Sequence, residues 1–139
     1  MNKIAVDTNI LVYLYDFTDE RKRLISETLL TKRPLVSSQV ISEYLNVTKR
    51  LLKLPKNETF ERCGNVFAKC DIDPMSQATI ATGLFLLNKY DFQLFDALVV
   101  ASALQSGCSV LYSEDLHHNL LVESCLTIIN PFLADIIIS

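Results

Sequence analysis

The sequence predicts an α/β domain: a mainly parallel β-sheet covered by helices on both faces. Two observations carry this expectation. Short apolar runs of strand length alternate along the chain with longer stretches whose apolar residues recur at helical spacing. No internal repeat, low-complexity tract or linker interrupts that alternation, and 139 residues suit a single domain, residues 1–139, with a sizeable core. Half of the residues are hydrophobic and 21% are charged, as in a globular protein.

The first strand is Ile4-Ala5-Val6, and it runs directly into Asp7-Thr8-Asn9. Apolar residues then resume at helical spacing as Ile10, Leu11 and Leu14. Asp7 thus falls at the carboxyl end of a buried strand, where α/β sheets carry their chemistry. It is a candidate metal ligand; capping of the next helix by Asp7 or Asn9 is the competing role. After a turn at Asp16–Asp19, Thr18 or Asp19 caps a helix reaching about Lys32, with Leu24, Ile25, Thr28 and Leu29 as its apolar stripe. Arg21-Lys22-Arg23 opens this helix, where basic charge opposes the helix dipole. The triplet is either a partner contact or a solvated face.

Pro34–Ser37 reads as the second strand, with Ser38 capping a helix from about Gln39 to Lys53. Its apolar stripe is Val40, Ile41, Tyr44, Leu45, Thr48, Leu51 and Leu52. Glu43 stands at the edge of that stripe, apart from the face carrying Ser42, Asn46, Lys49 and Lys53. It is an ordinary boundary residue or a carboxylate looking into a cleft beside the sheet. Leu54–Asn57 breaks the chain, and Asn57 suits the cap of a helix from Glu58 to about Lys69. Asp71-Ile72-Asp73 is a third strand, its acids suggesting an edge. Pro74 and Ser76 open a helix to about Tyr90, with Ile80, Leu84, Leu87 and Asn88 setting its period. Gly83 either permits a close helix contact or is tolerated at about 1 kcal/mol against Ala.

Phe95–Leu104 is apolar almost all round, as a buried helix is. Asp96 is its one charge. A buried carboxylate is costly unless paired or metal-bound, and a dipole interaction of about 0.3–1 kcal/mol does not account for one in so apolar a segment. Gly107 ends the helix by a left-handed residue. Ser109–Ser113 is the fourth strand, followed by Glu114-Asp115, either of which can point inward. Asn119 suits a left-handed turn. Leu126–Ile129 is the last strand. The tail, with Ile136-Ile137-Ile138, is an added strand or an oligomer contact.

Composition excludes some roles. No apolar run approaches the roughly 18 residues of a membrane helix, and Asp7 interrupts the apolar start expected of a signal peptide. Cys63, Cys70, Cys108 and Cys125 include no C-x-x-C pair and read as reduced thiols of an intracellular, cytoplasmic protein. His117 and His118 lie at no zinc-finger spacing from a cysteine. The net charge of −3 argues weakly against nucleic acid. With four acids set aside in a pocket, 12 remain against 13 bases, a balance of +1, so charge does not decide the matter.

Asp7, Glu43, Asp96 and Asp115 occupy related places, after strands or early in helices, and right-handed crossovers bring such places to one end of a sheet. Oxygen-only ligands select a hard cation such as Mg²⁺ or Mn²⁺. Four carboxylates suit one or two ions gripping a phosphodiester.

Asp7-Thr8-Asn9, Glu43, Phe95-Asp96-Ala97 and Ser113-Glu114-Asp115-Leu116, in that order and spacing, resemble a PIN-domain ribonuclease. The closing Asn130-Pro131-Phe132 is similar to the end of VapC-type toxins of bacterial toxin–antitoxin pairs. Asn119 departs from the Gly many relatives place after the histidine. The resemblance implies a Rossmann-like sheet of strand order 3-2-1-4-5, Mg²⁺ or Mn²⁺, and cleavage of RNA. It also implies a cognate antitoxin and usually a homodimer. It makes Asp7, Glu43, Asp96 and Asp115 an acidic tetrad of metal ligands and catalytic groups, supported by Thr8, Asn9 and Ser113. Arg21, Lys22, Arg23, Lys49 and Lys53 are candidate contacts for RNA or the antitoxin. A PIN fold that has lost catalysis and serves as a binding module is the alternative, and the intact four acids argue against it. A receiver-like or phosphatase domain needs a Lys after a late strand, and none follows Ser113.

Overall fold

The computed structural model describes residues 2–134, 136 and 138. In chain order the elements are β1 (Ile4–Val6), α1 (Thr8–Val12) with a 3₁₀ turn (Tyr13–Tyr15), α2 (Glu20–Leu30), β2 (Leu35–Ser37), α3 (Ser38–Leu52), α4 (Lys56–Phe67), β3 (Asp71–Asp73), α5 (Gln77–Lys89), α6 (Leu94–Gln105), β4 (Val110–Tyr112), β5 (Leu121–Val122) and β6 (Leu126–Ile129). The strands form one sheet of order β3-β2-β1-β4-β6-β5. Every neighbouring pair is parallel except β5–β6. The parallel part has the expected order, with β6 as its fifth strand and β3 at the edge.

The antiparallel strand β5 is the addition. It returns through Glu123 and Ser124, which have φ of 50° and 56°. Two successive positive φ values make the tight hairpin that Asn-Gly usually announces. Glu-Ser carries no such signal, so the sequence does not advertise the strand. Asn119 does take the left-handed conformation expected of it, with φ 68°.

β1 and β2 are buried along their whole length, as central parallel strands should be. α6 is buried over Ala97 and Val99–Ala103. Its neighbour α5 approaches closely because Gly83 has no side chain. A Cβ there would lie 2.6 Å from Leu98 Cδ2, so Gly83 is a contact residue rather than a tolerated one.

Several boundaries and faces differ from expectation. Ser37, not Ser38, caps α3, its Oγ accepting from Val40 N–H at 3.2 Å. Of Thr18 and Asp19, it is Asp19 that caps α2. α4 starts at Lys56, so Asn57 is inside its first turn; Pro55 supplies a helix-compatible φ and a carbonyl for Thr59 N–H. The buried face of α5 is Thr79, Gly83 and Leu86, while Ile80 and Leu84 are exposed, because the Gly83–Leu98 contact rotates the helix toward α6. Leu24 and Leu51 are exposed as well. Cys63, Cys70 and Cys108 are buried free thiols and Cys125 is an exposed one. Among the described residues no helix is long and apolar enough to cross a membrane. Of the Ile-rich tail, Ile136 and Ile138 belong to no strand and border a depression with Leu24, Ile25 and Pro131. Ile137 lies outside the described residues.

Candidate functional site

The site grows from the adjacent carboxyl ends of β1 and β4. Asp7 is the first residue past β1 and caps α1, its Oδ1 accepting from Thr8 N–H at 2.8 Å. Its Oδ2 accepts from Ser113 Oγ at 2.9 Å, which ties it to the residue after β4. Capping and site membership are therefore not exclusive: one oxygen serves the helix and the other faces β4. Ser113, fully buried, also accepts from Asp115 N–H at 3.3 Å. Asn9 completes the tie, donating Nδ2–H to Asp115 Oδ2 at 3.0 Å and accepting Glu114 N–H at 3.2 Å.

Glu43 enters from α3, its Oε2 accepting from Thr8 Oγ1 at 3.0 Å. Asp96 enters from the first turn of α6. Gln39 at the start of α3 donates to the Phe95 carbonyl at 3.0 Å and so pins that turn. Gln93 occupies the cap position of α6, with no side-chain capping bond. Asp96 is thus not the cap, and among the described residues its carboxylate accepts no hydrogen bond.

Two of the acids, Asp7 and Asp96, are raised partly by the charges of their acidic neighbours. Burial pushes Asp7 up to about 6; the Thr8 and Ser113 bonds oppose the rise, and the charges of Glu43 and Asp96 add to it. Burial, then Asp115, then Glu43, also raises Asp96. Like charge without a counter-ion beside a desolvated carboxylate is a mark of a candidate functional site. The donor set is all oxygen and anionic, which fits a hard divalent cation. Among the described residues no three His, Cys, Asp or Glu side chains are already gathered closely enough to hold an ion.

Glu114 behaves otherwise. It accepts from Tyr13 OH at 2.6 Å and pairs with Lys22 Nζ. Lys22 also lies 4.7 Å from the Tyr13 ring centre and 5.2 Å from that of Phe132. Phe132 is buried against Tyr13, with Asn130 Oδ1 accepting its N–H at 2.9 Å. The Asn130-Pro131-Phe132 stretch thereby builds a neutralised cluster that holds Glu114 away from the other acids. Tyr13 in this role went unread in the sequence; an aromatic six residues after Asp7 carries no pairing signal.

The candidate basic contacts divide. Lys22 is engaged by Glu114, and Arg23 by Glu27 at 2.8 Å. Arg21, Lys49 and Lys53 are exposed. Lys49 and Lys53 border one depression with Asn46 and Arg50.

Fold and site together define an α/β protein with carboxylates gathered at the carboxyl end of a mainly parallel sheet. The chain belongs to the PIN domain family, whose model matches residues 4–121. No curated protein matches it in sequence. Solved structures do match in fold. One is a toxin–antitoxin complex from Klebsiella pneumoniae, at 21% identity over 82% of this chain and 87% of that one, TM-score 0.63. Another is DNA-bound VapBC from Salmonella typhimurium, at 16% identity over 92% and 97%, TM-score 0.66. A third is a sarcin–ricin-loop-cleaving VapC toxin of Mycobacterium tuberculosis, at 16% identity over 81% and 92%, TM-score 0.63.

Proposed function

We propose that this chain is a divalent-metal-dependent endoribonuclease and the toxin of a toxin–antitoxin pair. The observation that carries the reading is the nearness of Asp7, Glu43, Asp96 and Asp115: Asp7 and Glu43 both bond Thr8, Asp7 and Asp115 both bond Ser113, and the charges of Asp115 and Glu43 act on Asp96. Mutually repelling acids are costly to hold together, and a hard cation relieves that cost. These four residues would hold Mg²⁺ or Mn²⁺. The ion, when bound, supplies Lewis acidity toward a phosphate oxygen and lowers the pKa of a bound water. The remaining roles belong to side chains. Thr8 orients Glu43, Asn9 orients Asp115, and Ser113 fixes the free oxygen of Asp7. Asp96, with both oxygens uncommitted, is the group best able to accept a proton from an attacking water.

The toxin assignment draws on the family and on fold-level likeness to members of toxin–antitoxin complexes. A cognate antitoxin would place a Lys or Arg among the acids and pair with Asp96. Exposed Ile80, Leu84 and Phe85 along α5 support a homodimer. A ribonuclease restrained by an antitoxin works in the cytoplasm. The test is RNA cleavage by the purified chain in Mn²⁺ and after dialysis against a chelator. Cleavage that chelator abolishes and Mn²⁺ restores is the expected result. RNA left intact in both states would return the chain to the class of silent PIN-fold binding modules.

A further inference from the structure

The basic side chains are unevenly matched. Lys22, Arg23, Arg33 and Lys89 each pair with a carboxylate. Lys49, Arg50, Lys53 and Lys56 form no ion pair among the described residues, and all four are exposed. They gather at one corner, where the last turn of α3 meets the start of α4. Lys53 has φ of 51°, so the chain turns sharply there and sets Lys56 close behind.

Helix geometry links this corner to the acids. At 100° per residue, Arg50 falls two turns after Glu43 on nearly the same line, about 20° away. Asn46 and Lys53 follow at about 60° and 80°, and Lys49 at about 120°, all on one side. Val47 and Thr48 turn the other way, toward Val12 and Tyr15 after β1. The basic side therefore stays open to solvent. At 1.5 Å per residue the distance along the axis from Glu43 is about 9 Å to Lys49 and about 15 Å to Lys53. That is the reach of two to three nucleotides of extended single strand. Beyond Lys49 the surface becomes apolar. Leu45, Leu54 and Phe60 line a second depression with Lys49 and Lys56, and Phe60 is 55% exposed.

We propose that the α3–α4 corner is a non-catalytic subsite for single-stranded RNA. Arg50, Lys53 and Lys49 receive phosphates of the strand as it leaves the carboxylates, and Phe60 stacks on a base. Unpaired cations spaced along a helix, with an exposed ring beside them, are what a sequence-tolerant single-strand path requires. The inference rests on the ribonuclease reading, and it supplies what the acids lack: a means of holding a polyanion next to four negative charges.

The test is binding of a fluorescein-labelled unstructured 12-nucleotide RNA by anisotropy across a salt series. The full chain carries Asp96→Asn so that the probe stays whole. Adding Lys49→Gln, Arg50→Gln and Lys53→Gln together should lower the log–log salt slope by about 2, at about 0.7 per phosphate contact. Affinity in about 50 mM salt should fall on the order of tenfold or more. Phe60→Ala should weaken binding several-fold without changing the slope, because stacking releases no counterions. Lys69→Gln, a basic change elsewhere, should alter neither. Equal melting curves establish that the exposed changes leave the fold intact. An unchanged slope in the triple variant overturns the subsite, even if the native chain cuts RNA. If the native chain cuts no RNA but the slope falls as expected, the subsite stands and the ribonuclease reading fails.

Discussion

Glu114 and Asp115 are neighbours in the chain and opposites in environment. Glu114 is held by Tyr13 and Lys22, with Lys22 also over the Phe132 ring. Asp115 meets one neutral amide, Asn9, and stands close enough to Asp96 to raise it. On one side of the loop every charge is compensated; on the other, four carboxylates share two hydroxyls, one amide and one backbone N–H. Compensation makes a tether, which stabilises the native state and does nothing else. Where it is absent, the unfavourable charge is left for the proposed metal ion to relieve.

The most direct way to break this comparison is to neutralise one acid on each side. Asp96→Asn and Asp115→Asn should each lower RNA cleavage at least about a hundredfold, several kcal/mol of transition-state stabilisation, while the fold holds. Glu114→Gln should leave cleavage within a few-fold. Initial rates in Mn²⁺ beside melting curves decide it. Equal losses on both sides would erase the distinction between tether and site.

The next test concerns Asp7 in the metal-free chain. Its folded value of about 6 lies above the ordinary 3.8. Folding therefore favours its protonated form. The associated stability is fully present below about pH 4 and is lost as pH rises through about 6. The gap corresponds to roughly 3 kcal/mol. Denaturant unfolding in chelator should show this loss across pH 4–6, and Asp7→Asn should remove most of it. A native chain whose stability rises over that window would contradict burial as the dominant cause. Millimolar Mn²⁺ should reverse the loss and raise the melting temperature at pH 7.

The smallest effect belongs to the tether. Lys22→Met leaves the Glu114 carboxylate without its cation and should cost about 1–2 kcal/mol. Adding Glu114→Gln should recover roughly half or more, since no unpaired charge then remains. Additive losses in the double variant would mean that the two residues do not act as a pair.

Much of the fold was legible. Alternating periods and short buried strands anticipated the parallel sheet, the acids of Asp71–Asp73 anticipated its edge, and the strand order came from the resemblance. Local chemistry misled where tertiary contacts overruled it. Ile80 and Leu84 read as a core stripe, yet the missing side chain of Gly83 turned α5 toward Leu98. β5 was silent because its turn uses Glu123-Ser124. For the site, residue type and position relative to strand ends nominated the four carboxylates. Nothing in Glu114-Asp115 as written says which of the two faces the others. That waited on Tyr13, Lys22 and Phe132, which lie far apart in sequence from it.

The sequence by itself determined which carboxylates lie at element ends, because strand and helix periods are local and a charge in an apolar run is visible in one dimension. It also determined that the chain is an α/β protein, since alternation needs no knowledge of contacts. Only the tertiary structure decided which charges are compensated. Pairing depends on distances across the fold: Ser113 reaches Asp7 from 106 residues away, and Lys22 reaches Glu114 from 92. Coulomb energy and desolvation follow spatial separation and burial rather than chain position, so the division between tether and site appears only when the chain has folded.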